Sequence, residues 1–217
     1  MKNKGKLITL ISVICFLAIV AGFYQSFLKM AGDFFAPERL EKAEAVIIEG
    51  SELVREDAVK IGLDLISQGK ANLLVIVYQN SPEEKVFGRP PDYKDFLFTK
   101  LWQMGLSKEQ ILILEVPKEH PITLIEAQTV LPYLAKRGIK KAILLAESFH
   151  TRRSFWAYKQ VGEKIGINIY PSPFFLKYKK DNWWENNQGI RELGAESVKF
   201  IYYLVRGYIP IKSFWAI

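Results

Sequence analysis

From Ala45 onward the chain alternates short, β-branched apolar runs with longer amphipathic stretches, and this alternation leaves few folds open. Apolar runs without polar spacing belong to strands buried on both faces, which occur in parallel sheets covered by helices on each side. The expected strands are Ala45–Ile48, Leu73–Val77, Ile111–Val116, Lys141–Leu145 and Ile167–Tyr170. Helices are expected near Val54–Ser67, Tyr93–Met104, Ile122–Lys136 and Thr151–Val161. Gly69, Gly105, Gly138 and Gly162 follow these four helices, where a left-handed C-cap is expected. Trp184–Val205 reads as a terminal helix with Ile190, Leu193, Ser197, Phe200, Ile201 and Leu204 on its apolar side. Between them, Asn80–Asp92, with Pro82, Gly88, Pro90 and Pro91, reads as a loop reaching over the site.

The N-terminus adds a second element. Lys2, Lys4 and Lys6 precede an uncharged run from Leu7 to Leu28, most apolar from Leu7 to Phe23. That run suits a membrane-spanning helix with its lysines in the cytoplasm and the rest of the chain outside. A cleaved signal peptide is the alternative, with Val20-Ala21-Gly22 as a weak cleavage site. The expected organisation is an anchor or signal peptide over 1–30, a linker over 31–43 and one domain over 44–217.

Charge narrows the partners. Four lysines and no acids lie in residues 1–30, so only +3 of the net charge of +7 belongs to the remainder. No block of basic residues is present to follow a phosphate backbone, and no nucleic acid is expected as a partner. The single cysteine, Cys15, excludes a disulfide framework and a thiolate metal cluster. Two histidines, with no His-x-x-x-His and no carboxylate-rich loop, argue against a metal site.

In parallel sheets ligands bind beyond the carboxyl ends of the strands, so the residues just after each strand are the candidates. After the first strand come Glu49, Gly50 and Ser51, with Arg55 a turn farther on. Gly50 lets backbone approach a ligand, and Ser51 either binds an anion or caps the next helix. The spaced glycines of a dinucleotide fingerprint are missing. After the third strand, Thr123-x-x-Glu126 is both a site candidate and the signature of a capping box. After the fourth, Ser148, His150 and Arg153 stand at the start of a helix, with His150 and Arg153 three residues apart on one face. An imidazole and a guanidinium beside free backbone N–H groups suit a phosphate or carboxylate, and His150 can move a proton near neutral pH. The plainer reading buries His150 and leaves Arg152 solvated. Ser148 lacks the flanking glycines of a hydrolase nucleophile elbow. Lys177-Tyr178-Lys179-Lys180, Trp183-Trp184 and the tail with Phe214 and Trp215 suit either a membrane interface or a packed core.

These residues together resemble the DUF218 family (YdcF/SanA/ElyC-like envelope proteins). Carrying the resemblance are the first strand ending in Gly50-Ser51, Thr123-x-x-Glu126, and Ser148-x-His150-x-x-Arg153. Its most specific piece is Ile143 to Ser154, followed by Ile169-Tyr170-Pro171-Ser172-Pro173. Trp183-Trp184, Gly189, Arg191, Glu196 and Lys199 are similar to the family's C-terminal region. The resemblance spans about Glu44 to Tyr208. It implies an α/β, Rossmann-like three-layer fold behind one N-terminal transmembrane helix, and a role in cell-envelope, peptidoglycan or lipid-carrier metabolism. One branch is described as binding S-adenosylmethionine. Val77-Tyr78-Gln79-Asn80 stands where many members carry Gly-Gly, and Ile122 where an Asn is frequent, which weighs against that cofactor.

The expectation is a single-pass membrane protein whose extracytoplasmic domain binds a small anionic, phosphate-containing and lipid-linked or soluble ligand. His150 and Glu126 are its candidate catalytic residues. Glu49, Gly50, Ser51, Arg55, Thr123, Ser148 and Arg153 are its candidate ligand contacts, with no cofactor assigned. A non-catalytic scaffold or regulator of envelope enzymes is the first alternative, and a protein using S-adenosylmethionine is the second.

Overall fold

Residues 2–80 and 92–216 are described by the computed structural model; the loop expected over Asn80–Asp92 falls largely outside them. Five strands form one all-parallel sheet: β1 (Ala45–Ser51), β2 (Leu73–Asn80), β3 (Ile111–Pro117), β4 (Lys141–Glu147) and β5 (Asn168–Phe174). Their order is β3-β2-β1-β4-β5, with Ile47 opposite Val75 on one side and Leu144 on the other. The helices are α1 (Lys2–Phe35), α2 (Glu56–Ser67), α3 (Tyr93–Gln103), α4 (Ile122–Lys136), α5 (Thr151–Ile165) and α6 (Asn187–Val205).

Each strand feeds two cores because successive side chains point to opposite faces. Ile47, Val75, Val77 and Leu144 pack against α4, α5 and the inner face of α6. Val46, Ile48, Leu74, Ile76 and Leu145 pack against α2 and α3. The result is the three-layer α/β architecture expected, with helices on both sides of a Rossmann-like parallel sheet.

Gly69, Gly105 and Gly138 adopt positive φ at helix ends, as expected. The fourth cap is Gly166, at φ 76°, not Gly162. Helix α5 runs a turn past Gly162, where a Cβ would meet the carbonyl oxygen of Ile167 at 2.4 Å, so this glycine serves the close approach of helix to strand. The apolar side expected for the terminal helix is also displaced. Gly189, Glu196, Phe200 and Tyr203 face inward, while Ile190 and Ile201 are exposed.

Helix α1 is continuous through Phe35, so the expected linker over 31–43 begins as packed helix. Ala36 is fully buried beside Phe149 and Trp183, and the Trp183 indole donates to the carbonyl of Leu28 at 2.9 Å. Arg152, expected to be solvated, is buried here. It donates to the carbonyls of Phe34, Ser213 and Ala216 and stacks 4.0 Å over the Phe34 ring. A guanidinium at the C-terminal end of α1 meets the negative end of its dipole. Toward its N-terminus the helix is bare, with Phe16, Ile19, Phe23 and Phe27 exposed. Among the described residues no single helix is long and apolar enough to cross a membrane. Ile11–Val20 and Gly22–Phe35, bent by 42°, meet that test together.

Candidate functional site

The winding of the sheet reverses between β1 and β4, and the carboxyl ends of these neighbours open a crevice there. Its walls come from irregular backbone. The register of β1 on β2 shifts between Ile48 and Ser51, which turns Glu49 and Gly50 out of the ladder. After β4, Ser148 takes a left-handed φ of 56° and starts a short 3-10 turn, Ser148–His150, that delivers His150 to the crevice.

His150 bridges the crevice. Its Nε2 lies 2.8 Å from Glu49 Oε1 on β1, and its Nδ1 lies 3.2 Å from Glu196 Oε2 on α6. Burial and the Arg153 charge pull its pKa down, but the Glu49 charge and hydrogen bonds donated to both carboxylates prevail and lift it to about 9. The two carboxylates thus favour the protonated ring against the Arg153 charge, and the side chain is 29% exposed toward solvent.

Arg153 lies behind it, only 5% exposed. Its Nε donates to Glu196 at 3.1 Å, its Nη1 to Thr123 Oγ1 at 2.9 Å, and its Nη2 abuts the His150 ring. The guanidinium also stacks 4.7 Å over the Tyr203 ring. Burial alone would raise the Glu196 pKa. His150 and Arg153, together with Lys199 at 2.8 Å, hold it well below the usual carboxylate range instead.

Glu126 works from beneath. Its Oε1 accepts the Gly50 N–H at 2.9 Å and the Tyr158 hydroxyl at 2.6 Å. Burial and the neighbouring Glu49 charge lift its pKa to about 7, against the hydrogen bonds that lower it. Gln79 donates to the Gly50 carbonyl at 2.9 Å, so both backbone polar groups of Gly50 are held. Ser154 donates to Glu49 Oε1 at 2.6 Å. The second oxygens of Glu49 and Glu126 are both buried without a hydrogen-bond partner.

Three cavities meet His150. The largest, about 350 Å³, is lined by Glu49, Gly50, Thr123, Arg153, Lys199 and Tyr203 among others. A second, about 340 Å³, is lined by Arg55, Glu147, Ser148, Glu192, Glu196 and Lys199. A smaller one, about 130 Å³, runs past Glu49, Ser51, Arg55 and Glu147.

Every sequence candidate is thus near the crevice, but in different roles. Glu49, Gly50, Thr123, His150 and Arg153 share the largest cavity. Glu126 stands behind Gly50 and touches the site through that peptide. The capping-box reading fails: α4 has Pro121 at its N-cap, Thr123 accepts from Arg153, and Glu126 reaches β1. Ser51 donates to the carbonyl of Leu53 and does not cap α2, whose N-cap is Arg55. Arg55 pairs with Glu147 at 2.9 Å at the rim. Ser148 Oγ donates to Glu192 at 2.8 Å and also meets the Tyr178 hydroxyl. Trp183 is buried.

Glu196 and Lys199 are functional candidates that the strand-end search passed over. A signal was present: Glu196 falls four and seven residues before Phe200 and Tyr203, a carboxylate on the buried stripe of α6. Among the described residues no group of three or more His, Cys, Asp or Glu is placed to hold a metal ion.

No family model matches the chain, and no curated protein matches it. Among solved structures it is similar to the pantothenate synthetase of Thermus thermophilus, at 12% identity and a TM-score of 0.37. The alignment covers 70% of this chain, which spans 62% of that enzyme's length.

Proposed function

We propose that the chain is a membrane-anchored, DUF218-like envelope protein whose crevice binds a small anionic, phosphate-containing ligand and moves a proton on it through His150. The observation that carries this reading is the His150 ring, held between Glu49 and Glu196 beside three cavities among the described residues. An acid fixed by two carboxylates and still partly open to solvent has the geometry of a proton donor. Both ring nitrogens face carboxylates in the resting site, so a ligand oxygen receives the Nε2 proton by taking the place of Glu49 Oε1, while Nδ1 stays on Glu196 and the reverse transfer resets the ring.

The anion-binding set differs from the expected one. Arg153 and Ser148 already spend their donors on Glu196, Thr123 and Glu192, so they position the acid and the turn that carries it. Lys199, 56% exposed, and Arg55 at the rim remain open to a phosphate group. The envelope role and the outside location rest on the resemblance and on the lysine-flanked α1.

A thermal-shift series on the detergent-solubilised full chain tests this reading, since a ligand that binds only the native state raises the melting temperature. Inorganic phosphate, sugar phosphates, polyprenyl phosphate analogues and S-adenosylmethionine are the probes. A rise with phosphate compounds that disappears in Lys199→Ala and in His150→Ala supports the reading. A rise with S-adenosylmethionine alone, or none with any probe on a folded sample, overturns it.

A further inference from the structure

Between Ser197 and Ile217 the chain carries Lys199, Arg206 and Lys212 and no acidic residue. The same stretch leaves large apolar side chains bare. Val198, Ile201 and Val205 are exposed at helical spacing on the outer face of α6, Val205 by 80%. Ile211, Phe214 and Trp215 are also exposed in the tail beyond the helix, Trp215 by 70%. Helix α6 is therefore apolar on two sides, since Phe200 and Tyr203 fill the core opposite. A water-facing helix carries polar residues on its outer face, and a contiguous apolar row there marks a surface with a partner.

Position and charge identify the partner. Near the end of α1, the Phe34 ring meets Phe200 at 5.5 Å and Phe214 at 5.6 Å. Arg152 binds the carbonyls of Phe34, Ser213 and Ala216 together. The bare row thus begins where α1 joins the domain. At ~1.5 Å per residue, Phe34 lies about 9 Å past Leu28, where the apolar run ends, a distance close to the depth of a headgroup layer. An indole and a long cationic side chain favour that depth, as Trp215 and Arg206 provide here, while Lys199 and Lys212 are paired with Glu196 and Glu163.

We propose that the outer face of the C-terminal half of α6 and the tail after it lie at the headgroup boundary of the bilayer that α1 enters. The domain is then held against a phospholipid surface by two contacts. This rests on the reading of α1 as a membrane helix.

The test uses the full chain in mixed phosphatidylcholine and phosphatidylglycerol vesicles with brominated acyl chains, which quench an indole only on contact. The chain has five tryptophans, so the Trp215 signal is the difference between the unsubstituted chain and Trp215→Phe. Phe16→Trp in the Trp215→Phe background reports on α1 separately. The expected result is loss of most Trp215 emission, reversed by Ile201→Glu with Val205→Glu, both exposed positions whose substitution leaves the core intact. An unquenched Trp215 beside a quenched Phe16→Trp indole overturns the surface and leaves the anchor standing. If neither is quenched, both fall. An unquenched Trp215 with cross-linking of two chains through this face assigns it to a second copy and overturns the proposal.

Discussion

The side chain of Glu126 accepts the backbone N–H of Gly50 at 2.9 Å, joining the third strand-to-helix connection to the end of the first strand. The contact leaves no room for a larger residue: a Cβ on Gly50 would lie 2.5 Å from Glu126 Oε2. Gly50→Ala is therefore expected to lower stability by about 1–3 kcal/mol, as overpacking of a buried site does. Ser51→Ala, next along the chain, loses only a partly exposed bond to Leu53 and is expected to stay within about 0.5 kcal/mol of the parent. Urea denaturation of the pair checks both.

Stability should fall as pH rises through neutrality. Glu126 is lifted from 4.5 to about 7 in the folded chain, so its contribution is full below pH 4.5 and lost as pH climbs toward 7. His150, lifted from 6.5 to about 9, acts in the same direction between those values. Glu196 is held low, so its contribution is present above 4.5 and lost as pH falls below that. The melting temperature is expected to peak near pH 4.5 and to fall on either side. Glu126→Gln keeps the shape of the neutral acid and removes its titration. The variant should melt close to the parent at pH 5 and above it at pH 8, as calorimetry across that range would show.

Removing Arg153 should cost more than its place beside the catalytic candidate suggests. Arg153→Ala strips Glu196 and Thr123 of a donor and leaves a buried carboxylate with one fewer cation. The expected loss is about 3–5 kcal/mol. Arg153→Lys should recover only part of it, because an ammonium cannot serve Glu196 and Thr123 together while stacking on Tyr203. Chemical denaturation of both variants distinguishes a structural cation from a ligand contact, whose loss would leave stability unchanged.

Arg152 makes a separate prediction. Arg152→Ala frees the carbonyls of Phe34, Ser213 and Ala216 at once. Amide exchange over residues 28–36 and over the C-terminal tail should accelerate at least tenfold, while β1 and β4 exchange as before. Equal acceleration throughout the sheet would show that the tie stabilises the whole domain and not the anchor junction alone.

The sequence pattern and the fold agree where apolar periodicity carries the information. Helix α4 has the expected bounds, Ile122–Lys136, and each expected strand is present. The strands nevertheless run on past their expected ends, through Glu49-Gly50-Ser51, Gln79-Asn80 and Glu147. These extensions are polar because they line the crevice, so the hydrophobic signal stops where the site begins. His150 and Arg153 were legible from their spacing at a helix start. Their partner Glu196 lies on the buried stripe of α6, away from the strand ends where ligands of parallel sheets bind, so strand-end logic does not reach it.

If α1 is the membrane anchor proposed above, the junction at Trp183 and Arg152 decides what cutting it would leave behind. The last two turns of α1 are seated in the domain, with Gly32 so near the Trp183 indole that a Cβ there would meet it at 3.3 Å, and with Ala36 fully buried. A peptidase cutting at Val20-Ala21-Gly22 would act on the far side of those turns. The released protein would keep its seat occupied and its hydrogen bonds to Leu28 and Phe34 intact. Tethered and shed forms would then share one folded body, and losing the membrane would change where the protein goes without changing what it is.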